Sequence, residues 1–480
     1  MKKKKHFAMN TLKKLTLLFC AASLCTACFE DLDDTPITSN DIKDFVYKGM
    51  NYAYLYKENK PDLADDRFSS DSEYSSYLNT FDSPESLFEN LIYDRENIDR
   101  FSWITSDYIA LEESFNGLRK SNGLEFDFYY QPGSTTNVFG IIRLVLNNSP
   151  AESLGLQRGQ IFNAVNGETL TESNLSTLLN QDSYTLHLAT YNNNNTPNDD
   201  SDDTIDTTSE TATISKITFT ENPVHKTEIL EVNNQNVGYL MYNGFTADFN
   251  TQLNNAFATL QSNNVQNLVL DLRYNPGGSV NTATLLGSMI TGQFTGEIFS
   301  KLIYNNDLQS NNTEYLFTDS FEGNSINSLN LQKVYVLTTD TTASASEMVI
   351  NSLKVYSQIE VIQIGQQTTG KSQASITIYD SPDFGRSGAN PLHTYALQPL
   401  VAKTVNKLEA SVPNEGLTPT IELQENPQNY GVLGDENEPL LAAALQHILQ
   451  NGRYAPRTNN FNKLKNKVDY QPFENGMYIE

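Results

Sequence analysis

Apolar residues along this chain follow spacings that change from one region to the next, and these spacings predict its elements. From residue 41 to about 120 the pattern is mostly helical, with aromatic residues at helical spacing between Phe45 and Tyr56. Ser83 followed by Pro84 is typical of a helix cap and a first-turn proline. We expect residues 41–120 to form a small helical domain that packs its aromatic side chains inward, including Trp103.

The region 121–220 shows the alternation of half-buried strands. Apolar and polar residues alternate from Leu124 to Tyr130, and Asn166-Gly167 predicts a tight hairpin turn. Residues 192–210 contain four consecutive Asn, six acidic residues and no basic one. Such a segment cannot bury apolar surface, so we expect it to be a mobile, disordered loop inside one β-rich domain.

The remaining region, 221–480, alternates between strand-like and helical patterns. Alternation of this kind predicts an α/β core with parallel strands. The expected strands are 237–241, 268–272, 334–337 and 361–364, and the expected helices are 249–261, 280–290 and 346–356.

Composition narrows the class of protein. The chain of 480 residues carries 58 acidic and 32 basic residues, a formal charge of −26. Nucleic-acid binding needs clustered Lys and Arg, so a nucleic-acid partner is not expected. No His-Glu-x-x-His or other metal-ligand spacing occurs, and the sequence predicts neither a metal nor a cofactor.

The N-terminus is basic and is followed by a short apolar run. Lysines occupy positions 2–5, 13 and 14, and the apolar run extends from Leu15 to Leu24. This run is much shorter than the ~20 residues that a spanning helix needs. Residues 1–27 therefore predict an export signal peptide, and a retained N-terminal anchor is the alternative.

The end of this leader resembles a bacterial lipoprotein signal, in which a small residue precedes a cysteine that receives a lipid. Ala27 and Cys28 match, although Cys25 stands where an apolar residue is usual. The resemblance implies an outer-membrane lipoprotein of the cell envelope, facing the periplasm or the cell surface, with residues 28–40 as a tether. Cleavage would remove six lysines and change the charge from −26 to −32. Cys28 would be the one cysteine left, which excludes disulfides and cysteine-ligated metals.

Three stretches of the core region carry candidate chemistry, and the first is a glycine turn. A buried strand ends at Leu272 and runs through Asn275 and Pro276 into Gly277 and Gly278. Glycines allow backbone shapes that expose amide N–H groups, and such groups can hold an oxyanion. An ordinary tight turn is the alternative.

The second stretch is a serine between a strand and a helix. Ser344 follows the strand 334–337 and precedes the helix, so its hydroxyl could be exposed beside an amide at the helix N-terminus. The alternative is a helix cap, because Glu347 three residues later would complete a capping box.

The third stretch is Gly370-Lys371, which follows another buried strand. A lysine that acts as a general base near neutral pH must have its pKa lowered by roughly 3 units from ~10.4, which burial can achieve. A solvated surface lysine is the alternative.

Taken together, these stretches resemble the C-terminal processing, or tail-specific, serine peptidases. In that family the Asn-Pro-Gly-Gly turn corresponds to 275–278, the Ser-Ala-Ser-Glu motif to 344–347 and the Gly-Lys motif to 370–371. The resemblance implies Ser344 as nucleophile, Lys371 as base, and the amides of Ala345 and of Gly277 or Gly278 as oxyanion donors. It also implies a multidomain α/β protein, with a crotonase-like peptidase core at 221–480 and a β-rich PDZ domain at 121–220 after the helical domain.

Two positions depart from the family pattern. The family commonly has a Gln four residues after the lysine to orient it, whereas this chain has Ser375 there and Gln373 nearby. The lysine is therefore expected to be oriented by Ser375, by Gln373, or only poorly.

The carboxylate-binding loop of the PDZ domain is the second departure. We expect Gly123, Leu124 and Phe126 to bind peptide, and Glu125 replaces the second glycine that is usual there. A carboxylate at this position predicts repulsion of a free C-terminus. Peptide addition as an extra strand could still operate.

Histidine is the rival base. His187 and His447 fall within predicted strand and helix patterns and are expected to be structural, whereas His393 lies in a loop of the core and could line the cleft.

We therefore expect a lipid-anchored serine endopeptidase that cleaves peptides or unfolded protein tails, delivered by the PDZ domain. A catalytically silent peptide-binding surface lipoprotein of the same fold is the first alternative, and a hydrolase of non-peptide acyl groups is the second. Hydrogen-bond reach between the Ser344 hydroxyl and the Lys371 amine would favour the peptidase.

Overall fold

The computed structural model describes residues 37–196, 202–449 and 477–479. The predicted signal peptide, Cys28 and most of the tether lie outside the described residues. Helix α1 (Ser39–Ala53) begins inside the predicted tether, because Thr38 caps it by accepting a hydrogen bond from the Asp41 amide at 3.3 Å. Within the described parts of the chain, no helix combines the length and apolarity needed to cross a membrane.

The N-terminal region is helical at first, as predicted. Its elements are α1, the 3₁₀ turns Lys57–Asn59 and Pro61–Leu63, α2 (Asp71–Leu78), α3 (Pro84–Leu91), β1 (Trp103–Thr105), α4 (Tyr108–Phe115) and β2 (Leu118–Ser121). Ser83 caps α3 by accepting from the Ser86 amide at 3.2 Å, and Pro84 is its first residue, which confirms the predicted cap.

Residues 41–120 do not bury their aromatic side chains among themselves alone. Phe45 and Phe88 belong to the same buried cluster as Leu270 and Leu397 of the C-terminal region. Strand β1 also pairs antiparallel with a strand of that region, so the two parts of the chain share one hydrophobic core. The helices are too few and too short to enclose their aromatic faces alone, which explains this sharing.

The middle region forms an antiparallel sheet with the strand order β3-β4-β5-β7-β8, in which β3 is an edge strand. Phe126, Phe128 and Phe162 lie in its separate buried cluster. Strands β2 and β9 pair with each other where the chain enters and leaves this domain. The elements are β3 (Leu124–Tyr130), β4 (Val138–Val145), α5 (Pro150–Ser153), β5 (Ile161–Val165), β6 (Glu168–Thr169), α6 (Leu175–Leu179), β7 (Ser183–Asn192), β8 (Thr204–Ser215) and β9 (Ile217–Thr220).

The loop predicted for residues 192–210 is shorter than expected. Strand β7 extends to Asn192 and β8 begins at Thr204, directly opposite it in the antiparallel pair. The prediction was therefore wrong for residues 204–210. It failed because an exposed strand at a sheet edge needs no apolar residues, and the threonines of this segment suit a strand.

The C-terminal region contains the predicted α/β core. Its six-stranded sheet has the order β10-β11-β12-β17-β18-β23. Adjacent strands in this sheet are parallel, except that β10 and β11 are antiparallel. The helices are α7 (Asn250–Ser262), α8 (Val280–Thr291), α9 (Ala345–Leu353) and α10 (Pro439–Leu449), with 3₁₀ turns Ala247–Phe249 and Asn306–Asn311. The strands are β10 (Val224–Val232), β11 (Gln235–Tyr242), β12 (Asn267–Asp271), β13 (Ile298–Tyr304), β14 (Thr313–Leu316), β15 (Ser320–Phe321), β16 (Asn324–Ser325), β17 (Lys333–Thr338), β18 (Glu360–Gly365), β19 (Gln373–Ser375), β20 (Ile378–Tyr379), β21 (Ala396–Gln398), β22 (Leu400–Val405) and β23 (Ile421–Glu422).

A second sheet of this region was not predicted. Its antiparallel order is β14-β13-β22-β19, and its edge strand β19 begins two residues after Lys371. Short strands of irregular register carry little periodic signal, which explains why the sequence pattern missed them.

Candidate active site

The three candidate stretches lie side by side at one edge of the parallel sheet. Strands β12, β17 and β18 are neighbours, with Asp271 opposite Leu337 and Leu337 opposite Ile364. Each of the three turns follows the carboxyl end of one of these strands. Because parallel strands all end at the same edge, sequence segments about 70 and 100 residues apart meet in one place.

Ser344 sits in an unusual backbone conformation at the start of α9. Its φ is +66°, a region that non-glycine residues seldom adopt and that functional sites often contain. The side chain is fully buried, and its Oγ has no hydrogen-bond partner within the described chain. Ser344 and Glu347 are thus arranged as the alternative capping box, in which the Ser344 amide donates to Glu347 Oε2 at 2.8 Å, but the hydroxyl itself makes no cap hydrogen bond.

The glycine turn lies directly against Ser344. Gly277 and Gly278 have φ values of +112° and +133°. A Cβ atom on Gly277 would lie 2.6 Å from Ser344 Cβ, and one on Gly278 would lie 2.4 Å from the Phe245 carbonyl oxygen. No side chain larger than hydrogen fits at either position.

The backbone amides around Ser344 differ in whether they already donate a hydrogen bond within the protein. The Gly277 amide donates to Asn275 Oδ1 at 2.9 Å. In the described chain, no acceptor is seen for the Gly278 amide, and Ala345 is the first residue of α9, so its amide has no intrahelical acceptor. Of the two predicted glycines, Gly278 is therefore the one whose donor is available.

Asn275 holds the glycine turn and the serine turn together. Its Nδ2 donates to the Tyr242 carbonyl at 2.8 Å, and its own carbonyl accepts from the Ala343 amide and from Ser346 Oγ, both at 3.1 Å. The residue is fully buried. The two turns are fixed relative to each other by these bonds.

Lys371 is buried and not a solvated surface lysine. Only 2% of its surface is exposed. Burial lowers its pKa to about 7, although the nearby carboxylates of Asp99 and Glu347 act in the opposite direction. Its Nζ lies 5.1 Å from the centroid of the Phe101 ring. It does not hydrogen-bond Ser344 Oγ, which has no partner in this structure.

Glu347 links the serine turn to the lysine turn, and the sequence suggested it only as a capping residue. Besides the Ser344 amide, its carboxylate accepts from the Gly370 amide at 2.7 Å, from the Lys371 amide at 2.8 Å and from Thr368 Oγ1. Burial raises the pKa of Glu347, and these hydrogen bonds oppose the rise. The signal in the sequence was the acidic residue that ends the Ser-Ala-Ser-Glu motif. In the structure this glutamate is fully buried.

The two side chains expected to orient the lysine bond elsewhere. Gln373 Nε2 donates to Tyr56 Oη at 3.2 Å, and its Oε1 is buried without a partner in the described chain. Ser375 Oγ donates to the Met477 carbonyl at 3.1 Å. Both residues thus lie close to the turn of Lys371 in the structure, but neither side chain is seen to hydrogen-bond the Lys371 amine.

Residues 477–479 form a short strand-like segment at the site, which the sequence analysis did not single out. The Tyr478 amide donates to the Gly278 carbonyl at 3.3 Å, and on the other side the Ser375 amide donates to the Met477 carbonyl at 2.9 Å. Met477 is fully buried, and the Tyr478 ring stacks on Phe115 at a centroid distance of 4.2 Å. The segment therefore lies between the glycine turn and the strand that follows the lysine.

A cleft of about 700 Å³ connects this site to the middle domain. At one end it is lined by Gly277, Gly278 and Lys371, and at the other by Leu124 and Phe126. Ser344 lies beneath the lining, next to Ala343. Of the three residues predicted to bind peptide, Gly123 does not line the cleft, because its Cα packs against Ser149.

Glu125 is neutralised by neighbouring arginines. Its carboxylate lies 3.1 Å from Arg143 Nη2 and 3.8 Å from Arg119 Nη2, and all three residues line the cleft. The repulsion of a free carboxylate, expected from Glu125 alone, is offset at this end of the cleft.

His393 lies away from the serine. Its Nε2 is 2.9 Å from Asp380 Oδ2, its Nδ1 accepts from the Tyr395 amide, and its ring faces Phe45. It is not among the residues that line the cleft. Within the described residues, Lys371 is thus the better-placed base.

Comparison with known proteins yields two family matches. The model of peptidase family S41 matches residues 236–423, which contain all three turns. The model of the peptidase S41 N-terminal domain matches residues 41–103. Together the two matched ranges cover just over half of the chain.

Two proteins illustrate the similarity. A carboxyl-terminal-processing protease of Picosynechococcus sp. (strain ATCC 27264 / PCC 7002 / PR-6) is 27% identical over 243 residues, which are 51% of this chain and 52% of that protein. The chain thus spans about half the length of this curated relative. A solved structure from Bacteroides fragilis NCTC 9343, assigned to the S41 proteases, is 29% identical with a TM-score of 0.68, over 85% of this chain and 97% of that one.

Proposed function

Because the chain belongs to peptidase family S41, the C-terminal processing serine peptidases, we propose that it is an endopeptidase with a Ser344–Lys371 dyad. Its substrates are peptides or unfolded protein tails that enter the cleft. The observation that supports this most directly is Ser344 itself. A buried hydroxyl without a partner, on a strained backbone, beside two amides without acceptors is a costly arrangement that a structural serine would not need.

In the first step, Lys371 acts as general base. Neutral Nζ accepts the proton of Ser344 Oγ while the oxygen attacks the scissile carbonyl carbon and forms a tetrahedral intermediate. The carbonyl oxygen becomes an oxyanion, and the amides of Gly278 and Ala345 donate hydrogen bonds to it. Nζ and Oγ are not bonded in this structure, so this step requires that the contact form when peptide binds.

In the second step, protonated Lys371 returns the proton to the leaving amine. The C–N bond breaks and leaves an acyl ester on Ser344. Water then loses a proton to Lys371 and attacks the ester, and collapse of the second intermediate restores the Ser344 hydroxyl and releases the new carboxyl terminus.

The middle domain is proposed to act as a PDZ domain that feeds peptide to the site. Strand β3 is the edge of its sheet, and Leu124 and Phe126 of this strand line the same cleft as Lys371. A peptide added alongside β3 would gain backbone hydrogen bonds and could extend through the cleft towards Gly278.

The test compares two serines of one motif. Ser344→Ala should lower the cleavage rate of fluorescein-labelled casein by at least about 1,000-fold, because the nucleophile is lost. Ser346→Ala is the matched control: it removes a hydroxyl that helps to position Asn275 but has no proposed chemical role, so its loss of activity should be far smaller than that of Ser344→Ala. Thermal unfolding should show that both variants fold. Cleavage by Ser344→Ala at the parental rate would refute the assignment.

A catalytically silent peptide-binding protein is the second candidate. Three observations favour it: Ser344 is buried, its Oγ makes no hydrogen bond to Lys371 Nζ, and Gln373 and Ser375 both bond to groups other than the Lys371 amine. Labelling with a fluorophosphonate in the presence and absence of casein separates the two. Covalent label on Ser344 supports the peptidase, whereas saturable peptide binding with neither label nor cleavage supports the silent protein.

A further inference from the structure

A segment of the N-terminal region reaches the proposed base. Residues 99–101 lie near the end of the connection between α3 and β1, and the sequence patterns assigned them only to a small helical domain. In the folded chain they lie against the turn that carries Lys371, about 270 residues further along. Arg100 and Phe101 contact this turn directly, and Asp99 acts on Lys371 through its charge.

Arg100 clamps the lysine turn through backbone carbonyls. Its Nη2 lies 3.0 Å from the carbonyl oxygens of Thr369, Gly370 and Asn414. One charged nitrogen thus joins the turn before Lys371 to a neighbouring loop. Charge-assisted hydrogen bonds of this kind are among the stronger ones in proteins and restrict where the turn can lie.

Asp99 brings a buried carboxylate to the same place. Its side chain accepts from Tyr54 Oη at 2.7 Å and from the Ser102 amide at 2.8 Å, so its position is fixed by its own region of the chain. It is fully buried, and its charge raises the pKa of Lys371 against the lowering effect of burial. Glu347 of α9 is the other carboxylate that acts on Lys371.

Phe101 presents its ring to the amine. Lys371 Nζ lies 5.1 Å from the ring centroid, within the range in which an aromatic face attracts a cation. The ring also lines the cleft. It therefore favours the protonated form of the base, which exists after proton transfer from the nucleophile.

We propose that residues 99–101 form a positioning segment of the active site, in which Arg100 holds the turn of Lys371, Phe101 faces its amine, and the adjacent Asp99 supplies a buried negative charge. The proposal rests on the proposed function. It assigns to the N-terminal region a role in the reaction besides its share in the hydrophobic core.

The first arm of the test measures the pKa of Lys371 through the dependence of kcat/KM on pH. Asp99→Asn removes a charge that favours protonated lysine, so the acid limb of the kcat/KM profile should move to lower pH by about 0.5 to 1 unit. Phe101→Leu should move the acid limb in the same direction, because it removes the ring that favours the protonated amine. This second variant tests the proposal if Asp99→Asn does not fold. A limb that stays in place in both variants would overturn the role of these residues.

The second arm separates positioning from general stability. Arg100→Gln should lower kcat roughly 10- to 100-fold with KM within about twofold, because the base turn loses its clamp. Arg67→Gln is the matched control, since Arg67 pairs with Asp62 and Glu73 of the same region and makes no contact with the turn. Equal kcat in the parent and Arg100→Gln would refute the clamp.

A readout independent of activity keeps this proposal distinct from the proposed function. Competitive acetylation of Lys371 with acetic anhydride across pH, followed by peptide mapping, gives its titration in the folded chain. If Asp99→Asn lowers that midpoint in a protein without peptidase activity, the segment still acts on Lys371 and the proposed function alone fails. An unchanged midpoint contradicts the positioning role.

Discussion

Ser344 and Lys371 are both buried, and burial changes the chemistry of each in its own way. The hydroxyl of Ser344 loses water without gaining a partner, which costs about 1–3 kcal/mol and leaves its lone pairs available. For Lys371, burial penalises the ammonium form and lowers the pKa to about 7. Because of this burial, about half of the Lys371 amines are neutral near physiological pH, whereas an exposed lysine would be almost fully protonated.

The pH dependence of the reaction follows from the pKa of Lys371. Only the neutral amine can accept a proton, so kcat/KM should rise with pH through about 7 and then level off. The profile of cleavage rate against pH measures this directly. Lys371→Arg keeps the positive charge but cannot deprotonate, so it should be inactive at every pH tested. A parental profile that is flat between pH 5.5 and 8.5 would contradict a lysine base of this pKa.

At the scale of elements, the glycine turn 275–278 depends on close contact with its neighbours. It is enclosed by Phe245 on one side and Ser344 on the other, and residues 477–479 bond to its Gly278 carbonyl. The turn therefore needs both the positive φ that glycine allows and the absence of a Cβ. A chain end far from the turn in sequence contributes to holding it.

Substitution of Gly277 tests the close contact. In Gly277→Ala the new Cβ would lie 2.6 Å from Ser344 Cβ, so the serine must shift and kcat should fall roughly 10- to 100-fold. The matched control is Gly133→Ala. Gly133 also has a positive φ, +71°, but a Cβ there meets nothing within 4 Å. Casein cleavage and thermal unfolding of both variants separate backbone strain from displacement of Ser344, and equal kcat in both would contradict the contact.

At the scale of the whole molecule, buried charges join the middle domain to the core. Arg158 of the middle domain pairs with Glu425 and donates to Tyr274 Oη at 2.6 Å. Glu425 also pairs with the fully buried Arg273. Tyr274 directly precedes Asn275 of the glycine turn, so these contacts join the domain that is proposed to bring peptide to the core beside the proposed oxyanion donors.

Loss of Arg158 should destabilise the protein strongly. In Arg158→Met, the buried Glu425 keeps Arg273 but loses one of its two cations, so the free energy of unfolding should fall by about 3 kcal/mol or more. Urea unfolding measures this difference. Arg386→Met is the control, because Arg386 is half exposed in its pair with Glu112 and should change stability by about 0–1 kcal/mol. A loss in Arg158→Met no larger than in this control would contradict the network.

Much of the α/β core and the placement of the three turns could be predicted from the sequence. The strands before Asn275, Ser344 and Lys371 are short apolar runs, and each is followed by small or polar residues. Since parallel strands end at one edge, the three turns were expected at that edge, and the strand order β12-β17-β18 in the structure makes them neighbours. The second sheet, the full length of β8 and the shared core were not predictable, because irregular or exposed strands and contacts between distant segments leave no periodic pattern.

The sequence by itself determined which residue types meet at the sheet edge: a serine, a lysine and glycines with their amides. Only the tertiary structure decided that the Gly277 amide donates to Asn275 whereas no acceptor is seen for the Gly278 amide in the described chain. It also decided that Gln373 and Ser375 bond to Tyr56 and Met477 and not to the Lys371 amine. It alone brought residues 99–101 and 477–479 to the site. Spacing along a chain specifies local elements, whereas the burial, charge and hydrogen bonds of each side chain arise from segments hundreds of residues away.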